Sequence, residues 1–352
     1  MITDLLWLEG VCKTQAECKG SAARPRSEGE EAMGSVRCGG HGRVTVLGLV
    51  LLVLLSGVAS AQLPQPGVNL GFTTFLDGAP PAGPGLYFQE YVQYYTSGTF
   101  KDQHGNTVPL LGSLDAWVSL NQFIYQSDQP VLFGGKWAID VIVPFVSLDV
   151  APGQIPVLST ASGLGDIMIA PYLQWDPIMG AHGPLFMHRI ELQNLIPTGK
   201  YRDDRVLNAG SNFYSFNPYW AGTVFFLPEW TASWRLHYLW NAKNEDPNKT
   251  FFPQADDTQV GQAMHINFAS EYELLPKQLR AGVNGYYLKQ FTNSEVDGMG
   301  IPNSREQVLG IGPGLLYSFS QHDHVFFNAY FEVEAENRPE GTRLNLRWTH
   351  HF

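Results

Sequence analysis

The stretch Thr342 to Phe352 constrains this chain more than any other. Leu344, Leu346, Trp348 and Phe352 fall on one face of an extended strand, and Arg343, Asn345, Arg347, Thr349 and His351 fall on the other. Period two with one apolar and one charged face is the pattern of a membrane β-barrel strand, lipid outside and water inside. An edge strand of a soluble sandwich is the alternative.

Ending on an aromatic residue after alternating apolar positions is also similar to the C-terminal assembly signal of bacterial outer-membrane proteins. Trp348 and Phe352 would carry that signal. His350 departs from the pattern, because an apolar residue is expected there.

The same alternation recurs upstream. Trp230, Ala232, Trp234, Leu236, Tyr238 and Trp240 oppose Thr231, Ser233, Arg235 and His237. Ile139, Val141, Val143 and Phe145 oppose Asp140. Ile190 and Leu192 oppose Arg189, Glu191 and Gln193. Val325, Phe327, Ala329, Phe331 and Val333 oppose Asn328, Tyr330, Glu332 and Glu334. A charge facing lipid near the midplane costs roughly 2–4 kcal/mol, so the charged faces are expected inside. Trp117, Trp137, Trp175 and Trp240 lie near strand ends, where interfacial girdles form.

About twelve strands of this kind are expected between 86 and 352, each long enough to cross a bilayer when tilted. Their connections alternate between long links, such as 197–211 and 241–258, and short ones, such as 274–277 and 320–323. The fold class expected is therefore all-β: a transmembrane antiparallel up-and-down β-barrel with long outer loops and short periplasmic turns. Charged residues make up only 16% of the chain, against about 25% in ordinary soluble domains, and aromatics reach 13%. The net charge of −11 argues against nucleic acid as a partner.

Residues 1–61 read as an N-terminal extension plus a cleavable signal peptide. Arg37 and Arg43 precede the apolar run Val44 to Leu55, which is too short to span a bilayer. Ala59 and Ala61 form the Ala-x-Ala cleavage site, and Met33 is the expected start. A retained anchor is the alternative. All three cysteines, Cys12, Cys18 and Cys38, precede the site, so the mature chain would hold no thiol. Export implies the outer membrane of a Gram-negative bacterium. Residues 62–85 are rich in proline and glycine, and form either a disordered leader or a plug in the barrel mouth. Leu70, Phe72, Phe75 and Leu76 within it need apolar surroundings.

No catalytic motif is present: no Gly-x-Ser-x-Gly, His-Glu-x-x-His, Walker loop or Gly-x-Gly-x-x-Gly. His322 and His324 about Asp323, and the outer-loop acids Asp246, Asp256 and Asp257, are most simply solvated charge, with metal binding at the histidine turn and Ca²⁺ or lipopolysaccharide-bridging cations at the loop acids as alternatives. No cofactor or metal is implied. The expected lumen residues are Asp115, Asp140, Asp166, Arg189, Glu191, Arg235, His237, Glu271, Arg280, Glu332, Glu334, Arg343 and Arg347. In the final hairpin, a loop at 335–341 would set Glu334 opposite Arg343, Glu332 opposite Asn345 and Tyr330 opposite Arg347.

Four stretches carry a family resemblance. They are Asp77-Gly78-Ala79-Pro80-Pro81 with Tyr91-Val92-Gln93-Tyr94-Tyr95, then Gly163-Leu164-Gly165-Asp166-Ile167. Pro197-Thr198-Gly199-Lys200-Tyr201 with Asn208-Ala209-Gly210-Ser211-Asn212 follows, and last come Tyr238, Asn241, Asn244 and Asn248-Lys249-Thr250. In this order the chain resembles the SphA-like family, described as phenol meta-pathway degradation proteins, over about 77–352. The resemblance implies an outer-membrane channel or transporter for small, mainly hydrophobic compounds that supply catabolism, aromatic compounds among them. It does not imply an enzyme, and it does not carry the substrate. Outer-membrane lipid, the barrel-assembly machinery and a small hydrophobic solute are the partners expected. A structural or interaction barrel without transport, and a barrel hydrolase, remain as alternatives.

Overall fold

The computed structural model describes residues 63–352 except 79, 81, 110 and 153–158. The signal-peptide, Met33, Ala59, Ala61 and cysteine readings concern residues outside this range.

Twelve antiparallel strands close into a barrel. They are β1 (Gly85–Lys101), β2 (Leu111–Leu132), β3 (Gly135–Pro152), β4 (Ser159–Leu164, Ile167–Gln174 and Ile178–Gly180), β5 (Gly183–Glu191 and Asn194–Ile196) and β6 (Ser215–Phe216 and Tyr219–Phe225). The second half holds β7 (Trp230–Asn241), β8 (Ala263–Leu275), β9 (Leu279–Gln290), β10 (Gln307–Ser318), β11 (Asp323–Glu336) and β12 (Pro339–His351). Each strand pairs with its neighbours in chain order, and β12 pairs with β1 from Tyr87↔His351 to Phe100↔Pro339. Closure removes both sheet edges, so every stave has a backbone partner on each side, as a bilayer demands.

Most outward positions are apolar: Ile139, Ile190, Leu236, Val283, Ile311 and Leu346 are all exposed. Inward positions are largely polar or aromatic and buried. The period-two pattern seen in the sequence is therefore the physical division between lipid and lumen.

The final hairpin differs from expectation in register. Asn328 faces Asn345, Tyr330 faces Arg343 and Phe326 faces Arg347. The strands run on to Glu336 and Pro339, leaving only Asn337 and Arg338 as a turn, with Asn337 at φ 55°. A shorter turn slides the pairing by an even number of residues, so Arg343 and Arg347 still face inward. Glu334 does not. The pairing steps from Leu309↔Val333 to Gln307↔Glu336, with Glu334 at φ 54°. This bulge holds an extra residue on β11, which turns Glu334 to the outside and gives the inward place to Ala335, 1% exposed.

Residues 63–78, 80 and 82–84 run down the inside of the barrel. Near the outer loops the Gln65 amide donates to the Gln290 side chain at 2.8 Å and to the Gly261 carbonyl at 3.0 Å. Midway, Gly71 N–H donates to Asn267 at 2.8 Å, and its carbonyl accepts from Asn345 and Tyr330, each at 3.0 Å. Gly71 sits at φ 80°, and a Cβ there would meet the Tyr330 ring at 2.7 Å, so only glycine fits. At the periplasmic end Tyr87 OH donates to the Gly83 carbonyl. Val68 and Leu70 pack with Leu239, Tyr286, Leu288 and Tyr330, while Phe75 packs with Ala269, Leu316 and Phe326. The apolar leader residues are thus covered by the barrel's own inner wall.

Candidate functional site

Among the described residues, two lumen cavities lie on either side of a charged waist. The outer one has a volume of about 520 Å³. Its wall comes from β2 and β3, where Leu114 pairs with Val150, Ala116 with Leu148, Val118 with Val146 and Leu120 with Pro144, all pointing inward. Here the inward row is apolar and the outward row is mixed. Asp115 therefore faces outward, against the expectation from its charge. It pairs with Thr96 and Asp149, and accepts from Tyr94 OH at 2.7 Å. The physical reason is parity: Trp117 takes the outside, so Asp115, two residues away, must share it. Glu90 shares this outer face and accepts from Ser119 at 2.7 Å. Phe72 and Val68 of the leader line the cavity's other side, and Phe213, Phe251 and Phe252 of the outer loops help cap it.

The cap is held by three of the motifs singled out in the sequence. Asp166 accepts from Gly199 N–H at 2.9 Å and from Ser211 N–H at 2.8 Å, and Ser211 OH donates to it as well. A Cβ on Gly199 would lie 2.5 Å from the Gly210 Cα, so the two glycines cross in van der Waals contact beneath the carboxylate. Stretches 165–166, 197–200 and 208–211, apart in the chain, thus form one joint. Asp166 lines the outer cavity at this joint.

The waist is built on the leader residue Asp77. Arg235 grips its carboxylate through Nε at 2.8 Å and Nη2 at 2.7 Å. Arg189 donates to the Asp77 carbonyl at 2.7 Å and to Tyr219 OH at 3.0 Å. A bidentate guanidinium–carboxylate contact between groups only 7% and 6% exposed is a strong, directional bond. Arg235 also lies 4.2 Å over the Tyr219 ring, whose OH donates to Glu191. Asp140 accepts from Gln122, and Glu271 from Thr231. His237 stacks on His265 with ring centroids 4.0 Å apart.

Toward the outer end a second cluster gathers round Glu332. It accepts from Tyr95 OH and Tyr286 OH at 2.7 Å each and from Gly341 N–H at 2.9 Å, and pairs with Arg343 at 3.5 Å. Glu332 and Arg343 meet diagonally across the hairpin. On the periplasmic side lies a cavity of about 280 Å³, with Arg347 and Arg280 on its wall. Arg280 pairs with Glu273 at 3.6 Å. Trp348 and Phe352 are exposed on the outside of β12 and at its end.

Of the residues expected to line the lumen, Asp115 and Glu334 point outward and the rest point inward. The apolar β2–β3 wall, Asp77 and Phe326 escaped the sequence reading. Asp77 lay in a stretch with no strand period. The β2 pattern misled, because the row Leu114, Ala116, Val118 and Leu120 is purely apolar, as a lipid face would be, while Asp115, Trp117, Ser119 and Asn121 mix polar and aromatic residues.

The fold is similar to that of an outer membrane channel from Pseudomonas putida F1, with a TM-score of 0.66 at 17% identity over 82% of this chain and 100% of that one. The β domain of the Bordetella autotransporter BrkA is a more distant likeness, with a TM-score of 0.42 at 10% identity over 76% of this chain and 99% of that one. No curated protein sequence matches the chain. A family model described as "Putative MetA-pathway of phenol degradation" matches residues 97–348. That match takes in well over half of the sequence and all but the ends of the barrel, and the chain belongs to this family of outer-membrane β-barrels.

Proposed function

We propose that the barrel is a channel carrying small, mainly hydrophobic molecules across the outer membrane, rather than an enzyme. The observation that carries this reading is the apolar outer cavity. Its 520 Å³ falls within the roughly 300–1,000 Å³ of small-molecule sites. A solute burying about 200 Å² of apolar surface there gains on the order of 5 kcal/mol before the costs of ordering. That suffices for entry without trapping. Asp140, Arg189, Glu191 and Arg235 line the next stage, and residues 63–84 act as a plug through which the path must open. The likeness of fold to an outer membrane channel from Pseudomonas putida F1 supports the reading. Insertion would depend on the barrel-assembly machinery.

The test is uptake of radiolabelled toluene by cells carrying the barrel. Wild type should take it up faster than cells with an equal amount of Val118→Arg, which fills the apolar cavity with a charge. Equal uptake with and without the barrel would overturn the channel reading. It would favour a structural barrel, the reading suggested by a lumen so fully occupied by residues 63–84.

A further inference from the structure

Every acidic group facing the periplasmic cavity already has a partner. Asp77 is held by Arg235 and Arg189, and Glu273 by Arg280. Glu191 accepts from Tyr219 and Gln193, and Asp140 from Gln122. Arg347 has no such partner among the described residues. It lines the same cavity, is only 7% exposed, and its Nε–H finds no acceptor. Its guanidinium carbon lies 3.5 Å from the centroid of the Phe326 ring and 5.7 Å from that of Tyr91, over the face of each. Stacking of this kind fixes the plane of the group and leaves its edge free to donate two parallel hydrogen bonds. A buried cation without a counter-charge is costly, and a carboxylate is the anion whose geometry matches that edge. Phe75, Tyr91 and Phe326 around it offer apolar surface, which inorganic anions do not use.

The two cavities share Tyr91, Gln122 and Arg235 on their walls. A molecule leaving the apolar outer chamber through that waist therefore meets Arg347 next. We infer that the periplasmic cavity is a carboxylate subsite, and that the solutes this barrel favours are aromatic or aliphatic acids with an apolar body and one carboxylate bonded to Arg347. The inference rests on the channel reading above and narrows its solute class.

Binding to the full barrel in lipid nanodiscs, measured by calorimetry, tests it with two probes of like shape: 3-phenylpropanoate and the neutral 3-phenyl-1-propanol. Wild type should bind the acid at least about tenfold more tightly than the alcohol. Arg347→Gln should abolish that preference and leave alcohol affinity unchanged, while Arg347→Lys should keep part of it. Arg280→Gln should change neither, because Glu273 already neutralises that group. Heat-dependent gel mobility checks that each variant is folded. Equal affinities in wild type, or a preference that survives Arg347→Gln or vanishes in Arg280→Gln, would overturn the subsite and leave the channel reading standing. Binding of neither probe to wild type would overturn both.

Discussion

At the scale of single residues, the lumen is organised by charge pairs that join the leader to the wall. Asp77 is the clearest case: Arg235 from β7 grips its carboxylate, while Arg189 from β5 donates to its main-chain carbonyl at 2.7 Å and reaches the carboxylate at 3.4 Å, on a segment without secondary structure of its own. Removing one partner of a buried pair strands the other in low dielectric, at a cost of about 3–5 kcal/mol. Asp77→Asn keeps the shape and some hydrogen bonding but leaves both arginines without that charge. We expect it to lower the unfolding free energy in urea by about 3 kcal/mol and to raise hydrogen exchange in residues 63–84. Wild-type exchange in the variant would show that the pair does not hold the leader. Charge alone was a poor guide to facing: Asp115 and Glu334 both point outward, one by parity with Trp117 and one by a bulge.

At the scale of elements, the final hairpin tests how register is set. The inward rows of β11 and β12 were legible, because a slip of one residue would send Arg343 and Arg347 into lipid. The offset between those rows was not, since any even shift satisfies the pattern equally. The two-residue turn at Asn337 and Arg338 decides it. Asn328→Cys/Asn345→Cys should therefore crosslink in the folded barrel, and Glu332→Cys/Asn345→Cys should not. The reverse result would restore the longer loop. The outer loops carry an element of their own, a small sheet of Lys243–Asn244, Thr258–Gln259, Glu295–Val296 and Met299–Gly300. Asp297 ties it by accepting the backbone N–H groups of Asp256 at 2.8 Å and Asp257 at 3.0 Å. The Asp257 and Asp256 amides hold its carboxyl below the ordinary value of 3.8. A depressed folded value means that this tie contributes fully above that ordinary value and fades as pH falls through the lower folded one. Amide protection factors at Asp256 and Asp257 should drop only below about pH 3.8. In Asp297→Asn they should already be low at neutral pH, and unaltered protection there would dismiss the tie.

At the scale of the whole molecule, a barrel of twelve strands encloses a lumen between the side-chain-filled eight-stranded case and open porins. Side chains alone do not fill it, and residues 63–84 take up much of the rest. Deleting residues 63–84 should leave a barrel that still shows heat-dependent gel mobility, because wall pairing does not use them. It should also raise permeability of proteoliposomes to small polar solutes such as arabinose. An assembled deletion with wild-type permeability would mean that the wall closes the lumen unaided.

What the sequence determined by itself was the wall. Period two is a local property of an extended backbone, and a bilayer demands that every stave divide its faces, so strand number, closure and most facings could be read from residues in a row. Tertiary structure alone decided how the interior is used. The joint of Asp166, Gly199, Gly210 and Ser211 brings together three stretches with no local reason to meet. The Asp77 clasp depends on an irregular segment finding two arginines on separate strands. The apolar outer cavity depends on which of two equally alternating rows of β2 turns inward. In each case the deciding energy lies in contacts between residues far apart in the chain, which no local period encodes.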